Sequence, residues 1–408
     1  MIRHDTFFDA LGQIDEKTPE WNSVFAGLSV MRLVDRVASR NEAKLAAHWP
    51  ELSTARSRVE AVSVGDPVRA ILSRVIDDIE KQNELTGDIG SCLLAYGRAL
   101  DLDARWALAV DVFKTIAEIF SPRWNARLII EACTALGAAA RSAGDWETSA
   151  RGYAQAEHLA ESIGDKAGAL TVQVGLANSH MIRGNLPAAQ QELDHVLKEA
   201  EREGIEQVRA LAMHASASVA HSRGDYQRAI HLAYRSLELT TNPSARDRIV
   251  ADIAAAYAGL GMRDTARDGY SIVAMTSPHQ WVRWQATLNL MELAIQEDDE
   301  SSFDRYVEQM KSASLDPKLR AYYLYFIAMG SMRFHRGDAQ VLFDRARQFA
   351  EEHELNQIAF EIEAEREREA MPPSERDSRE IRTFEPSGEL LDIAEVLEHL
   401  RDRVESGS

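Results

Sequence analysis

The sequence predicts an all-α protein built from a repeated helical hairpin, and two observations carry that reading. The first is composition. Of 408 residues, 45% are hydrophobic but only 7% are aromatic; the excess is mostly Ala and Leu, which favour helix over sheet. The second is a recurring turn. Ala143-Gly144-Asp145-Trp146, Arg183-Gly184-Asn185-Leu186 and Arg223-Gly224-Asp225-Tyr226 follow one another at 40-residue intervals. Leu260-Gly261-Met262-Arg263 comes 37 residues later and Arg336-Gly337-Asp338-Ala339 another 76. The step missing between the last two falls at Asp298-Asp299, and one step back from Gly144 lands on Ala104. About seven units therefore occupy residues 91–350.

Each element of the unit has a physical reason. The turn Gly supplies the left-handed backbone that ends one helix, and the Asp or Asn after it caps the next. Seven residues before the turn stands a small residue: Gly97, Gly137, Ala177, Ala217, Ala254 and Gly330. Five and nine residues after it come a small and a larger one, as in Ala109 and Phe113, Ser149 and Tyr153, Ala189 and Leu193, and Ala266 and Tyr270. Small residues on both helices let the backbones approach, and large neighbours fill the space around them. Pro122, Pro243, Pro278 and Pro317 mark where helix must stop at the far end of units.

Small, large, turn, aromatic and proline signals in this order resemble the tetratricopeptide repeat, usually about 34 residues long. The longer units here are similar to the variant found in sensor domains of bacterial regulators. The resemblance implies a right-handed superhelical solenoid of helix-turn-helix repeats with helical N- and C-terminal extensions. It also implies a non-enzymatic adaptor or scaffold that binds a protein or peptide on its concave surface, lined by the first helix of each unit. The alternative is a peptide-responsive signalling regulator whose N-terminal helical bundle controls a response regulator or transcription factor.

Positions ten, six and three before each turn Gly are the inward ones on this reading. They select Arg141, Asn178, Met181, His214 and His221 as partner-binding candidates, and Ile327, Ser331 and Phe334 in the last unit. An Asn amide can accept from a backbone N–H and donate to a C=O together, which suits an extended peptide.

The ends depart from the repeat. Residues 1–90 read as an N-terminal helical bundle or cap, with apolar stripes at Trp21, Phe25, Leu28 and Met31 and at Val68, Leu72, Val75 and Ile79, and a helix over Leu45–Val62 between them. Residues 351–370 read as an acidic helix, 371–386 as a linker and 387–405 as an amphipathic helix; residues 351–408 carry a net charge of −11 out of −19. Leu390, Ile393, Leu397, Leu400 and Val404 are spaced as a coiled-coil seam. That helix either folds back to cap the exposed end or serves as a docking or homodimer helix.

The remaining features exclude function classes. A net charge of −19 disfavours nucleic acid, whose phosphates need basic surface. No apolar run approaches the ~18 residues of a membrane span. Cys92 and Cys133 read as buried small hydrophobes in a reducing, cytoplasmic compartment. Neither a phosphate-binding glycine loop, a zinc-protease helix nor a nucleophile elbow occurs. No catalytic residue, metal or cofactor is expected.

Overall fold

A computed structural model describes residues 3–39, 49–82, 85–311, 313, 315–370 and 386–407. Among them every regular element is an α-helix, so the fold is the predicted all-α helical-repeat solenoid. The chain forms two compact units, Met1–Ala215 and Ser216–Ser408. The first holds α1 (Asp5–Gln13), α2 (Pro19–Ala38), α3 (Trp49–Glu60), α4 (Pro67–Gln82), α5 (Gly87–Leu102), α6 (Trp106–Ile119), α7 (Pro122–Ser142), α8 (Trp146–Ile163), α9 (Lys166–Ile182) and α10 (Leu186–Glu203). The division falls inside α11 (Glu206–Ser222). The second holds α12 (Tyr226–Leu239), α13 (Pro243–Gly259), α14 (Arg263–Thr276), α15 (Gln280–Gln296), α16 (Glu300–Met310), α17 (Pro317–Arg333), α18 (Ala339–Glu352), α19 (Asn356–Ala370) and α20 (Gly388–Glu405).

The repeated turn is a left-handed residue one step past the helix C-cap. Ala104, Gly144, Gly184, Gly224, Gly261, Asp298 and His335 all adopt it, with φ between 55° and 81°. Spacing thus finds the turn even where Gly is absent, at Ala104 and Asp298. It misplaces the last one. The glycine signal put that turn at Gly337, but α17 ends at Arg333 and the left-handed residue is His335. Backbone hydrogen bonds explain the register. Arg336 N donates to Ser331 O at 2.7 Å, as Asn185 N does to His180 O at 2.9 Å, closing the same C-terminal motif. The inward positions of that pair are therefore Tyr325, Met329 and Met332; Ser331 is buried instead.

Small residues stand where two helices touch. A Cβ on Gly137 of α7 would lie 2.8 Å from the Tyr153 ring of α8, and one on Gly175 of α9 would lie 2.4 Å from the same ring. Tyr153 is therefore clasped between two first helices. Caps follow the sequence too: Asp145, Asp165, Asn185, Asp225 and Asp299 each accept from a backbone N–H in the first turn of the next helix.

Helices α1–α4 share one core with the first repeats. Phe7, Leu28, Met31, Leu72 and Ile76 are buried in the same cluster as Leu93, Tyr96 and Phe113, so no break in packing falls at residue 90. His4 belongs to this junction, fully buried with Nδ1 2.5 Å from Asp111 of α6 and Nε2 3.4 Å from Asp35 of α2. Of the helix expected over Leu45–Val62, the segment 45–48 lies outside the described residues, and so do 371–385 of the expected linker. The segment 351–370 is not one helix: Glu351 and Glu352 finish α18, Glu354 turns left-handed at φ 57°, and α19 begins at Asn356. Ile358 and Ile362 then anchor α19 against α17 and α18.

Candidate functional site

The first helix of each pair leaves one stripe incompletely covered. Counted from the left-handed residue, the position six before it is Ala138, Asn178, Ser218, Ala255, Glu292 and Met329, all half-buried. The position one residue earlier is Gly137, Ala177, Ala217, Ala254, Met291 and Ala328, all buried. One helical step of about 100° thus separates the core from a face that the hairpin's own packing does not fill.

In the first unit this stripe carries most of the residues expected to bind. Asn178 is half-buried on α9, and among the described residues nothing hydrogen-bonds its amide. Met181 is half-buried one turn further on. Arg141 stands apart, because its guanidinium is already employed: Nη1 donates to Tyr153 Oη at 2.7 Å and to Gly175 O at 3.1 Å. It ties α7, α8 and α9 together. Burial pushes the Tyr153 phenol up, and Arg141 pulls against that shift. Sequence reasoning placed Arg141 on the correct stripe but could not see that a long side chain reaches back between helices. His214 is half-buried on α11 and takes part in interactions of its own. His221, in the second unit, packs its ring edge-on to Tyr226 at 5.2 Å.

The arginines beside the turns differ among themselves. Arg183 stacks over Trp146 at 4.5 Å, whereas Arg336 pairs with Glu300 and Asp304 at 2.7 and 2.8 Å. Both Cys92 and Cys133 are free and buried, and burial holds the Cys133 thiol at about 11. Among the described residues no cluster of three potential metal ligands occurs, and no helix is long and apolar enough to cross a membrane.

The C-terminal helix is placed inside the second unit. Leu390, Ile393 and Leu397 are buried in one core with Ile230, Ala233, Tyr257 and Val273 of α12–α14, while Leu400 and Val404 stay half-buried. Tyr257 Oη donates to Leu390 O at 2.7 Å, and Arg401 pairs with the buried Asp268 of α14. His231 of α12 lies 3.1 Å from Glu389. The seam read as a docking or dimer surface thus has the chain's own second helices as its occupant. It also lies against α12 and α14 instead of capping the last pair. A 3,4 spacing marks an apolar face without saying what fills it, which is why sequence left both readings open.

No family model matches the chain, and no curated protein matches it either. Solved structures do. The chain is similar to a Rap protein complexed with competence and sporulation factor, at 12% identity over 93% of this chain and 99% of that one, with a TM-score of 0.45. It is similar to pilF of Pseudomonas aeruginosa at 16% identity, over 54% of this chain and 90% of that one, with a TM-score of 0.35. It is also similar to the TPR domain of P58(IPK) at 15% identity, over 90% of this chain and 98% of that one, with a TM-score of 0.22. The chain resembles the tetratricopeptide-repeat family.

Proposed function

We propose that the chain is a non-catalytic binding scaffold whose first-helix stripes hold a protein or peptide segment. One observation carries this reading: the stripe recurs half-exposed at the same register from α7 to α17, while the residue beside it is buried every time. The same register leaves this face uncovered on the first helix of six successive pairs. Asn178 supplies a paired donor and acceptor for a peptide backbone, and Met181 an adaptable apolar contact beside it. Arg141 acts from behind, by positioning Tyr153 and α9.

The test is site-specific photo-crosslinking in the source cell extract. A photoreactive residue replaces Asn178 or Met181 and, as control, Lys198, exposed on the second helix α10. A polypeptide captured from 178 and 181 and not from 198 supports the reading. Capture from 198 alone would move recognition to the outer helices.

A further inference from the structure

The corresponding stripe of the second unit has a chemistry of its own. Helix α13 contributes three half-buried alanines, Ala251, Ala255 and Ala258, which leave room above them. Beside them α15 presents Glu292, α17 presents Tyr322 and Tyr325, and α19 presents Glu361 and Glu365, all half-buried. The tyrosines stand between carboxylates: Tyr322 Oη donates to Glu361 Oε2 at 3.4 Å. Burial raises the Tyr322 phenol to about 12, with Glu361 and Glu292 adding to the shift. Tyr325 is raised by burial and by Glu365, Glu292 and Glu361, and Arg368 alone opposes. Glu292 and Glu361 therefore act on both rings, and Glu365 on Tyr325.

Counter-charge is missing at Glu361 and plentiful across α19. Glu363, two residues on and so on the far side of the helix, lies 2.9 Å from Arg347 and 3.6 Å from Arg366. Glu361 receives a Gln357 amide at 3.1 Å beside the Tyr322 hydroxyl, and Glu292 a Gln296 amide at 3.2 Å. Among the described residues no cation pairs with either, and Arg368 is held by Glu365. Burial, with Glu361 adding, keeps the Glu292 carboxyl above the usual range. Half-buried carboxylates without a counter-charge are costly to a fold, and aromatic faces beside them attract cations.

We infer that this face docks a basic segment of a partner protein, with one Lys or Arg side chain entering between Glu292 and Tyr325 and a second meeting Glu361. The inference rests on the scaffold reading and names the chemistry of its partner. Charge complementarity selects the occupant: a cation recovers the solvation these carboxylates have lost, while an acidic or neutral segment leaves them unpaired. Tyr325 and Tyr322 provide the ring faces against which the alkyl stem of Lys or the plane of Arg lies.

The experiment uses the full chain and fluorescent dodecapeptides of one scaffold in which four positions are Lys, Arg, Gln or Glu, read by anisotropy against salt. Lys and Arg peptides are expected to bind more tightly than Gln peptides, and Glu peptides not at all. Glu292→Gln and Glu361→Gln should each weaken the basic peptides on the order of tenfold, and Lys198→Ala, on the second helix α10, should leave them unchanged. Because it removes an uncompensated charge, Glu292→Gln should also raise the melting temperature of the free protein, which a purely structural role would not do. Equal binding of Lys and Gln peptides, or a Glu292→Gln variant that melts earlier and binds as well as wild type, would overturn the inference. Should basic peptides fail while crosslinking at Asn178 and Met181 still captures a segment, the scaffold reading stands and the cationic ligand falls.

Discussion

Two stretches of repeat, one on each side of α11, divide their residues differently. The hairpin α9–α10 has a first helix of 17 residues and a second of 18, whereas α13–α14 has 17 and 14. The first helix stays at 17 in α11, α15 and α17 as well, and the three-residue turn after it is kept except after α17, where five residues intervene. What changes is the second helix, shorter by four residues or about 6 Å, and the way back to the next pair. Gly164 and Gly204 make that return in left-handed turns, while α13 and α17 restart on Pro243 and Pro317. The lesson is that from α9 to α17 the helix carrying the open stripe keeps one length while its outer partner varies. The short outer helices α12 and α14 are also the ones that α20 covers.

The sharpest way to break this comparison is at Tyr153. Replacing it with Ala removes a ring clasped by two first helices and should cost about 3–5 kcal/mol, read as a lower denaturant midpoint. A loss below ~1 kcal/mol would mean that the glycines at 137 and 175 are not receiving a ring.

Next in size is the C-terminal helix. Leu397→Ala should cost roughly 2–3 kcal/mol and raise amide exchange in α12–α14 and α20, with α5–α10 unaffected. Exchange rising equally in both stretches would deny that α20 belongs to the second unit alone.

The cap carboxylates come third, and they compare the two stretches directly. Hydrogen bonding to Thr148 holds Asp145 below the usual carboxylate range, and Ser302 does the same for Asp299. A carboxyl with a depressed folded value stabilises above its unfolded value and loses that stability as pH falls through the folded one. Asp145→Ala and Asp299→Ala should therefore each cost about 1 kcal/mol at neutral pH. The deficit should shrink as pH falls below about 3.9. A deficit independent of pH would remove the ionised cap as its cause.

The smallest effect is at the turns. His335→Gly should gain up to ~1 kcal/mol and Gly184→Ala should lose about as much, since only Gly takes the left-handed region without cost. Equal signs for the two would show that these turns are not equivalent.

Much of the fold was legible because its signals are local. A 40-residue step located Ala104, and half of the 76-residue gap located Asp298-Asp299, as turns without glycine, since helix lengths and not residue types set the spacing. The same reasoning failed at Gly337, where a glycine two residues downstream of the real turn outweighed the interval of 37 that puts it at His335. Asn178 and Met181 were legible as stripe residues from register alone. Glu292 was legible in principle, six residues before Asp298, but went unread because that turn lacks its glycine. Glu361 and Glu365 were read only as part of an acidic helix, since alternating acid and base does not reveal which acids lack a counter-charge.

The sequence by itself determined the helices, their caps, the turns and the stripe, because backbone preference and the 3.6-residue period act between neighbours in the chain. Only the tertiary structure decided that Arg141 braces Tyr153, that Leu390, Ile393 and Leu397 bury themselves against α12–α14, and that Glu292 and Glu361 are left without a cation. Those outcomes depend on which distant side chains packing brings within a few ångströms, and no local preference encodes that choice.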